Sequence, residues 1–290
     1  MKIAFPARTL LHSCVAVLVL AAAYGVVGKL SLLLAIPPGY STAIWPPSGI
    51  ALAGVLVYGT RVWPGIWLGS FMVNGWAAFD AANGAAILIS VLIPTVIGLG
   101  AALQALVGAF LVRRGVGFPT ALDHGREILI FLLLGGPVSC LISASVGVTT
   151  LIVSGQILWA TFPLQWGTWW VGDTLGILIV TPLVLSWLAE PQPIWRRRRL
   201  SVALPLAGAL VLAVGVFAYT RAQERERLRL LFDRQATTLA HILQYSLDNY
   251  LDVLFAVESY YISAGGLSRH ALHTFVQRAF GRHPGLQAVS

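Results

Sequence analysis

Seven apolar stretches, each bounded by short polar gaps, fill the chain up to position 219: residues 10–28, 42–58, 62–79, 84–112, 128–153, 164–188 and 200–219. Each is near or above the roughly 17–25 residues a helix needs to cross about 30 Å of hydrocarbon. The pattern predicts an all-α polytopic membrane protein with about seven transmembrane helices. After position 219 the pattern changes. Arg221, Glu224, Arg225, Glu226, Arg227, Arg229, Asp233 and Arg234 give a mixed-sign, solvated face. Leu228, Phe232, Leu239, Leu243, Tyr250, Leu254, Val257 and Tyr261 recur at helical spacing, with Gln235 and Ser246 as two polar interruptions. One long helix is expected until Gly265-Gly266, and a second, shorter one from Ser268 to Phe280, broken by His283-Pro284-Gly285. Those two helices lack a second layer to bury their stripe, so the sequence reads as a fragment or as ending in an incomplete domain.

Composition strengthens the membrane reading, with 57% apolar and 10% charged residues and a mean hydropathy of +0.80, beyond a soluble domain's usual apolar share. The net charge is +8, and where it falls matters more than its size. Lys2, Arg8, Arg61, Arg113, Arg114, Arg126 and the four arginines at 196–199 occupy alternate gaps, against Lys29 alone in the others. Lys and Arg are retained on the cytoplasmic side, so the amino terminus is expected there. An odd number of crossings then delivers residues after 220 to the opposite face, the periplasm of a bacterial inner membrane. Basic residues beside a bilayer explain the charge through anionic lipid, and no nucleic-acid partner is expected. Cys14 and Cys140 both fall inside predicted spans, so no disulfide framework is expected. The first apolar stretch runs past its Ala21-Ala22-Ala23 cluster and reads as a span rather than a cleaved signal.

Two motifs carry candidate chemistry. Trp45-Pro46-Pro47-Ser48-Gly49 sits at the outer end of the second span. The prolines have no amide hydrogen, so a continuous helix cannot run through them. Either the segment is broken and lines a cavity, as in transporters, or the helix simply begins at Pro47 with Trp45 as an interfacial anchor; the two readings are compatible. Asp173, within Trp169-Trp170-Val171-Gly172-Asp173-Thr174-Leu175-Gly176, is the single acid well inside a span. A mid-membrane carboxylate costs roughly 2.5–3.5 kcal/mol on insertion scales and faces a cavity or a partner. It lies in from the same side as the proline break, so the two are expected to be able to meet. Asn74 and Gln104 read as interhelical hydrogen bonds. Gly69, Gly98, Gly100, Gly135 and Gly136 read as sites of close packing. No Walker loop, His-Glu-x-x-His or Gly-x-Ser-x-Gly elbow occurs. No catalytic residue, metal or cofactor is expected, and His270 and His273 read as surface histidines.

The block from Ala43 to Phe71, with Trp45-Pro46-Pro47-Ser48-Gly49-Ile50-Ala51-Leu52-Ala53, Tyr58-Gly59, Trp63-Pro64-Gly65 and Leu68-Gly69-Ser70-Phe71, resembles the first type of membrane-associated sensor (MASE) domain. So does Trp170 to Gly176 followed by Thr181-Pro182-Leu183. From about Leu230 onward, Tyr250 to Ser259, Phe275 and His283 to Ala288 resemble the start of a CHASE extracellular sensory domain. The resemblance implies a sensor domain over residues 1–200, a last transmembrane helix over 200–220, and a periplasmic linker with the helical start of an α+β sensory domain over 221–290. It implies a sensory input module, coupled in intact proteins to a diguanylate cyclase, a cyclic-di-GMP phosphodiesterase or a histidine kinase. Trp45, Pro46, Pro47 and Asp173 are the candidate ligand-binding residues on chemistry and position. The expected partners are the lipid bilayer, an unidentified small-molecule or membrane stimulus, and a second copy of the chain. The rival reading is a secondary transporter or channel for a small solute.

Overall fold

The computed structural model describes residues 7–33, 42, 44–117, 119 and 122–263. The short helix expected over 268–280, the pair His270 and His273, Phe275 and the His283-Pro284-Gly285 break lie outside the described residues.

Every described element is helical: α1 (Ala7–Leu32), α2 (Pro46–Tyr58), α3 (Trp63–Ala78), α4 (Gly84–Gly115), α5 (Gly125–Ile130) running through a π-helical stretch (Phe131–Val138) into α6 (Ser139–Val153), α7 (Phe162–Leu188) and α8 (Gln192–Ser263). Short 3₁₀ turns at Thr60–Val62 and Trp159–Thr161 lead into α3 and α7. Proline occupies the first turn of α2, α3 and α7, where its missing amide hydrogen costs nothing and its fixed φ suits the helix. Asn83 caps α4, its side-chain oxygen accepting from the Ala86 amide at 2.8 Å. Gly59 ends α2 at φ +87°, a left-handed conformation that glycine adopts freely.

Five helical segments are long and apolar enough to cross a membrane: Ser13–Leu32, Gly84–Gly115, Gly125–Val153, Trp159–Leu188 and Gln192–Ala256. The second and third predicted spans differ. α2 has 13 residues and α3 has 16, about 20 and 24 Å at 1.5 Å per residue, short of the full hydrocarbon thickness. The cause in α2 is the proline pair, which starts the helix at Pro46 and leaves Thr42, Ile44 and Trp45 outside it.

The chain forms two units, Met1–Arg221 and Ala222–Ser290, with the boundary inside α8. In the first, α2 lies against α1, α4 and α7, and an arc of successive neighbours α1, α3, α4, α6 and α7 surrounds it. Pro47, Ser48, Gly49 and residues 51–56 of α2 are buried. Polarity is distributed as lipid demands. Ser48, Ser70, Gln104, Ser139, Ser143, Asp173 and Thr181 are buried, while Leu18, Val19, Leu88, Leu103, Phe110 and Leu133 are exposed. Apolar side chains outside and hydrogen-bonding ones inside fit a helical bundle in hydrocarbon.

The arginines gather at one end. Arg113 on the last turn of α4 donates at 2.9 Å to both the Val55 and Leu56 carbonyls, satisfying the carboxyl end of α2 beside the Arg61 turn. Arg198 donates to the Leu122 carbonyl and Arg199 to that of Ser186, tying the start of α8 to the segment before α5 and to the end of α7. Lys29, at the end of α1, instead sits 3.5 Å from the centre of the Trp76 ring near the end of α3. In the second unit the helix from 222 to 263 carries an exposed apolar stripe through Leu228, Phe232, Leu239, Leu243 and Leu254. Its polar face holds a Glu224–Arg227 pair at 3.7 Å and a Gln244–Asp248 bond at 2.9 Å. No strand occurs among the described residues.

Candidate functional site

Trp45 precedes α2 at φ −119° and ψ 79°, non-helical backbone enclosed by the bundle. Such backbone at membrane depth requires partners from protein, and α7 supplies them. The Trp45 amide donates to the Gly172 carbonyl at 2.9 Å. The Ser48 hydroxyl lies 2.8 Å from the Trp45 carbonyl and 2.9 Å from that of Asp173, one hydrogen shared between two acceptors. Farther along, the Thr181 hydroxyl donates to the Gly49 carbonyl at 3.1 Å. The seam is close because Gly49 and Gly176 oppose each other. A β-carbon on Gly49 would strike the Gly176 carbonyl, and one on Gly176 would strike that of Trp45. The two sequence motifs therefore interlock, backbone against backbone.

Above this seam lies a narrow cavity of about 40 Å³, room for a few waters. Trp45 and Asp173 both line it, as do Tyr24, Ser70, Asn74 and Ser143. Six elements contribute: α1 through Tyr24, the lead-in to α2 through Trp45, α3 through Ser70 and Asn74, α4 through Ile97 and Ala101, α6 through Ser143, and α7 through Trp169 and Asp173. The Trp45 indole donates to the Tyr24 hydroxyl at 3.2 Å, and Ser70 bonds the same hydroxyl. Asn74 donates to the Ser70 carbonyl at 2.8 Å and contacts its hydroxyl at 3.3 Å. The Trp169 indole donates to Ser143 at 3.1 Å, and both side chains stand beside the Asp173 carboxyl. Asp173 is 2% exposed, and its Oδ2 has no hydrogen-bond partner. An unpartnered carboxylate oxygen in a low-dielectric interior is costly unless something mobile satisfies it. The arrangement suits binding a small polar species.

Of the four candidate residues, the structure brings Trp45 and Asp173 onto one cavity. Pro46 and Pro47 stand apart from it: Pro47 is buried in α2, and Pro46 borders a separate, apolar hollow with Val27, Leu210 and Phe217. Their part is to end the extended segment and free the Trp45 backbone for α7. Tyr24, Ser70, Ser143 and Trp169 escaped the sequence reading because single hydroxyls and indoles in apolar spans are common and carry no spacing signal. Gln104 does bridge two helices, donating from α4 to Cys140 on α6 at 3.5 Å. Asn74 bonds within its own helix and lines the cavity instead. Both cysteines are free thiols. Away from this cavity, Asp123, His124 and Glu127 bring three potential ligand atoms within 4.8 Å, but His124 already pairs with both acids and the cluster is solvated.

Comparison with curated proteins and with solved structures finds no match. The MASE1 family model matches residues 14–222. That range covers well over half of the chain, takes in both interlocking motifs and runs to the boundary between the two units. The chain belongs to the MASE1 family, whose members are membrane-embedded, non-catalytic sensory input domains of signalling proteins.

Proposed function

We propose that this chain is the input module of a bacterial signal-transduction protein whose stimulus acts at the Trp45–Asp173 cavity. The observation that carries the reading is the unpartnered Asp173 Oδ2 directly above the seam where α2 seats on α7. Filling or emptying that cavity changes the hydrogen bonds of Asp173, while the Asp173 backbone carbonyl holds Ser48 of α2. A ligand shifts an equilibrium between two packings only through different affinity for them, and an acid without a fixed partner supplies that difference. α8 is the element that carries a shift onward, since one continuous helix runs from Gln192 to Ser263. The output is a diguanylate cyclase, a cyclic-di-GMP phosphodiesterase or a histidine kinase in the intact protein, with residues 221–290 forming the start of a periplasmic CHASE-like α+β domain.

Seven crossings complete the topology, with the amino terminus cytoplasmic and the chain beyond 220 periplasmic in the inner membrane. The gathering of arginines at one end of the bundle supports this, as does the enclosure of the short α2 within protein. Reporter fusions at residue 120 and at residue 195 are expected to behave as cytoplasmic, and one at residue 230 as periplasmic. A cytoplasmic signal at 230 sinks the orientation. The functional test is Asp173→Asn in the intact signalling protein. At normal membrane levels the output is expected to lose its response to stimulus, locked high or low, and an unaltered response would remove the cavity from the mechanism.

A further inference from the structure

A second hollow, of about 290 Å³, abuts the first. It is bordered by Asp80 in the loop after α3, by Ser90 on α4 and by Gln156 in the loop after α6. Asn74, Ile97 and Trp169 line both hollows, so these three side chains form the wall they share. An acid stands at each end, Asp80 outside and Asp173 inside, and no Lys, Arg or His lines either hollow among the described residues. A passage walled by one sign of charge concentrates the opposite sign.

We infer that the two hollows form one route by which a small monovalent cation of the ammonium class passes from the loop end to Asp173. The inference rests on the sensory reading of this cavity and names its ligand. Charge is limited to one because a single carboxylate faces the inner cavity, whereas calcium and magnesium gather several oxygen ligands around them. Size is limited by a cavity with room for only a few waters, which suits ammonium or methylammonium rather than a bulky tetraalkyl ion. The ammonium class fits because Trp45 and Trp169 supply aromatic surface, which attracts cations. The N–H donors of such a ligand also match the open Asp173 Oδ2 and the hydroxyl oxygens of Tyr24 and Ser70.

The test is a titration of the purified 290-residue chain in detergent, at fixed pH and ionic strength, followed by calorimetry and tryptophan fluorescence. Ammonium chloride and methylammonium chloride are expected to give a saturable change, and sodium chloride or tetraethylammonium chloride at the same concentrations none. Asp173→Asn is expected to weaken the affinity at least about tenfold, the scale of a lost charged hydrogen bond. Asp80→Asn should slow binding at low ionic strength and much less at high. No saturable change with ammonium, an equal response to sodium, a response to acidification alone, or full binding by Asp173→Asn would each overturn the proposal. Should Asp173→Asn misfold, Asn74→Trp fills the shared wall from the other side, and undiminished binding there overturns the route. The two readings separate cleanly. Output that depends on Asp173 in a chain that binds no ammonium removes the cation and leaves the sensor, while binding with output indifferent to Asp173 supports the cation and removes the sensor.

Discussion

Gly176→Ala protein is expected to unfold well below the parent, and Gly176→Leu to fail to accumulate in the membrane. The β-carbon would meet the Trp45 carbonyl oxygen and carbon and the Ser48 hydroxyl. The Ser48 hydroxyl and the Trp45 amide join the lead-in of α2 to α7, and backbone cannot swing aside as a flexible side chain can. Overpacking of this kind costs about 1–3 kcal/mol and more where the neighbour is immobile. Separating the helices also strands the Trp45 amide away from water, at about 1–3 kcal/mol for an unsatisfied group. The two costs arise at one place, so the loss should exceed about 3 kcal/mol. Cys140 is fully buried, and its labelling by a maleimide dye during heating, in a Cys14→Ser background, reports the unfolding. Gly167→Ala on the same helix is the control. Nothing lies within 4 Å of the added carbon, and alanine there is neutral or stabilises by about 0.5–1 kcal/mol. Equal melting of the two variants would show that the α2–α7 seam does not hold the bundle together.

Gly65→Leu and Gly69→Leu form the second pair of large effects. Gly65 and Gly69 are four apart on α3, the small-xxx-small spacing that lets two helix backbones approach in a membrane. A β-carbon on Gly65 would strike the Val17 carbonyl of α1, and one on Gly69 would come within 2.8 Å of the Ala21 carbonyl oxygen and the Tyr24 β-carbon. Leucine at either position must push α1 away. Tyr24 moves with α1, so the loss extends beyond packing: its hydroxyl leaves the Trp45 indole and the cavity loses one wall. Each variant should therefore be destabilised by more than about 2 kcal/mol and, where it still folds, lose ligand-dependent fluorescence. Gly25→Leu on the facing helix has open space around it and should change neither. Retention of the wild-type melting profile in Gly65→Leu would show that the α1–α3 contact is looser than described.

The helices were legible because hydrophobic runs and the prolines at 46 and 47 announce them, and the carboxyl-terminal stripe was legible from its spacing. The start of α2 at the proline pair was legible too, but not the partners of the residues before it. Its apolar run begins at Thr42, and composition cannot tell a helical residue from an extended one that borrows partners from α7. The meeting of Trp45 with Asp173 was within reach, since the expected topology brings both in from one side. The glycines that bring the motifs into register gave a weaker signal: Gly176 is one of 29 in the chain, and only its position opposite Gly49 distinguishes it. The contribution of Tyr24, Ser143 and Trp169 required three-dimensional placement, because hydroxyls and indoles satisfied by neighbours look the same in sequence as those facing lipid.

The π-helical stretch at Phe131–Val138 has a consequence for how this sequence tolerates change. Trp170 fastens it by donating to the Pro137 carbonyl at 2.8 Å, and Ser139 closes it by donating to that of Gly135. Each residue added to or taken from a helix turns everything downstream by about 100°. The wide turns set the phase of α6 so that Cys140, Ser143, Ala144 and Gly147 face inward. A one-residue deletion between Leu134 and Pro137 would keep every helix and most of the hydrophobicity, yet rotate Ser143 out toward the acyl chains and bring a methyl-bearing neighbour round to Asp173. Length here behaves as a dial rather than a spacer, and natural variation in this stretch should come in substitutions far more often than in gaps.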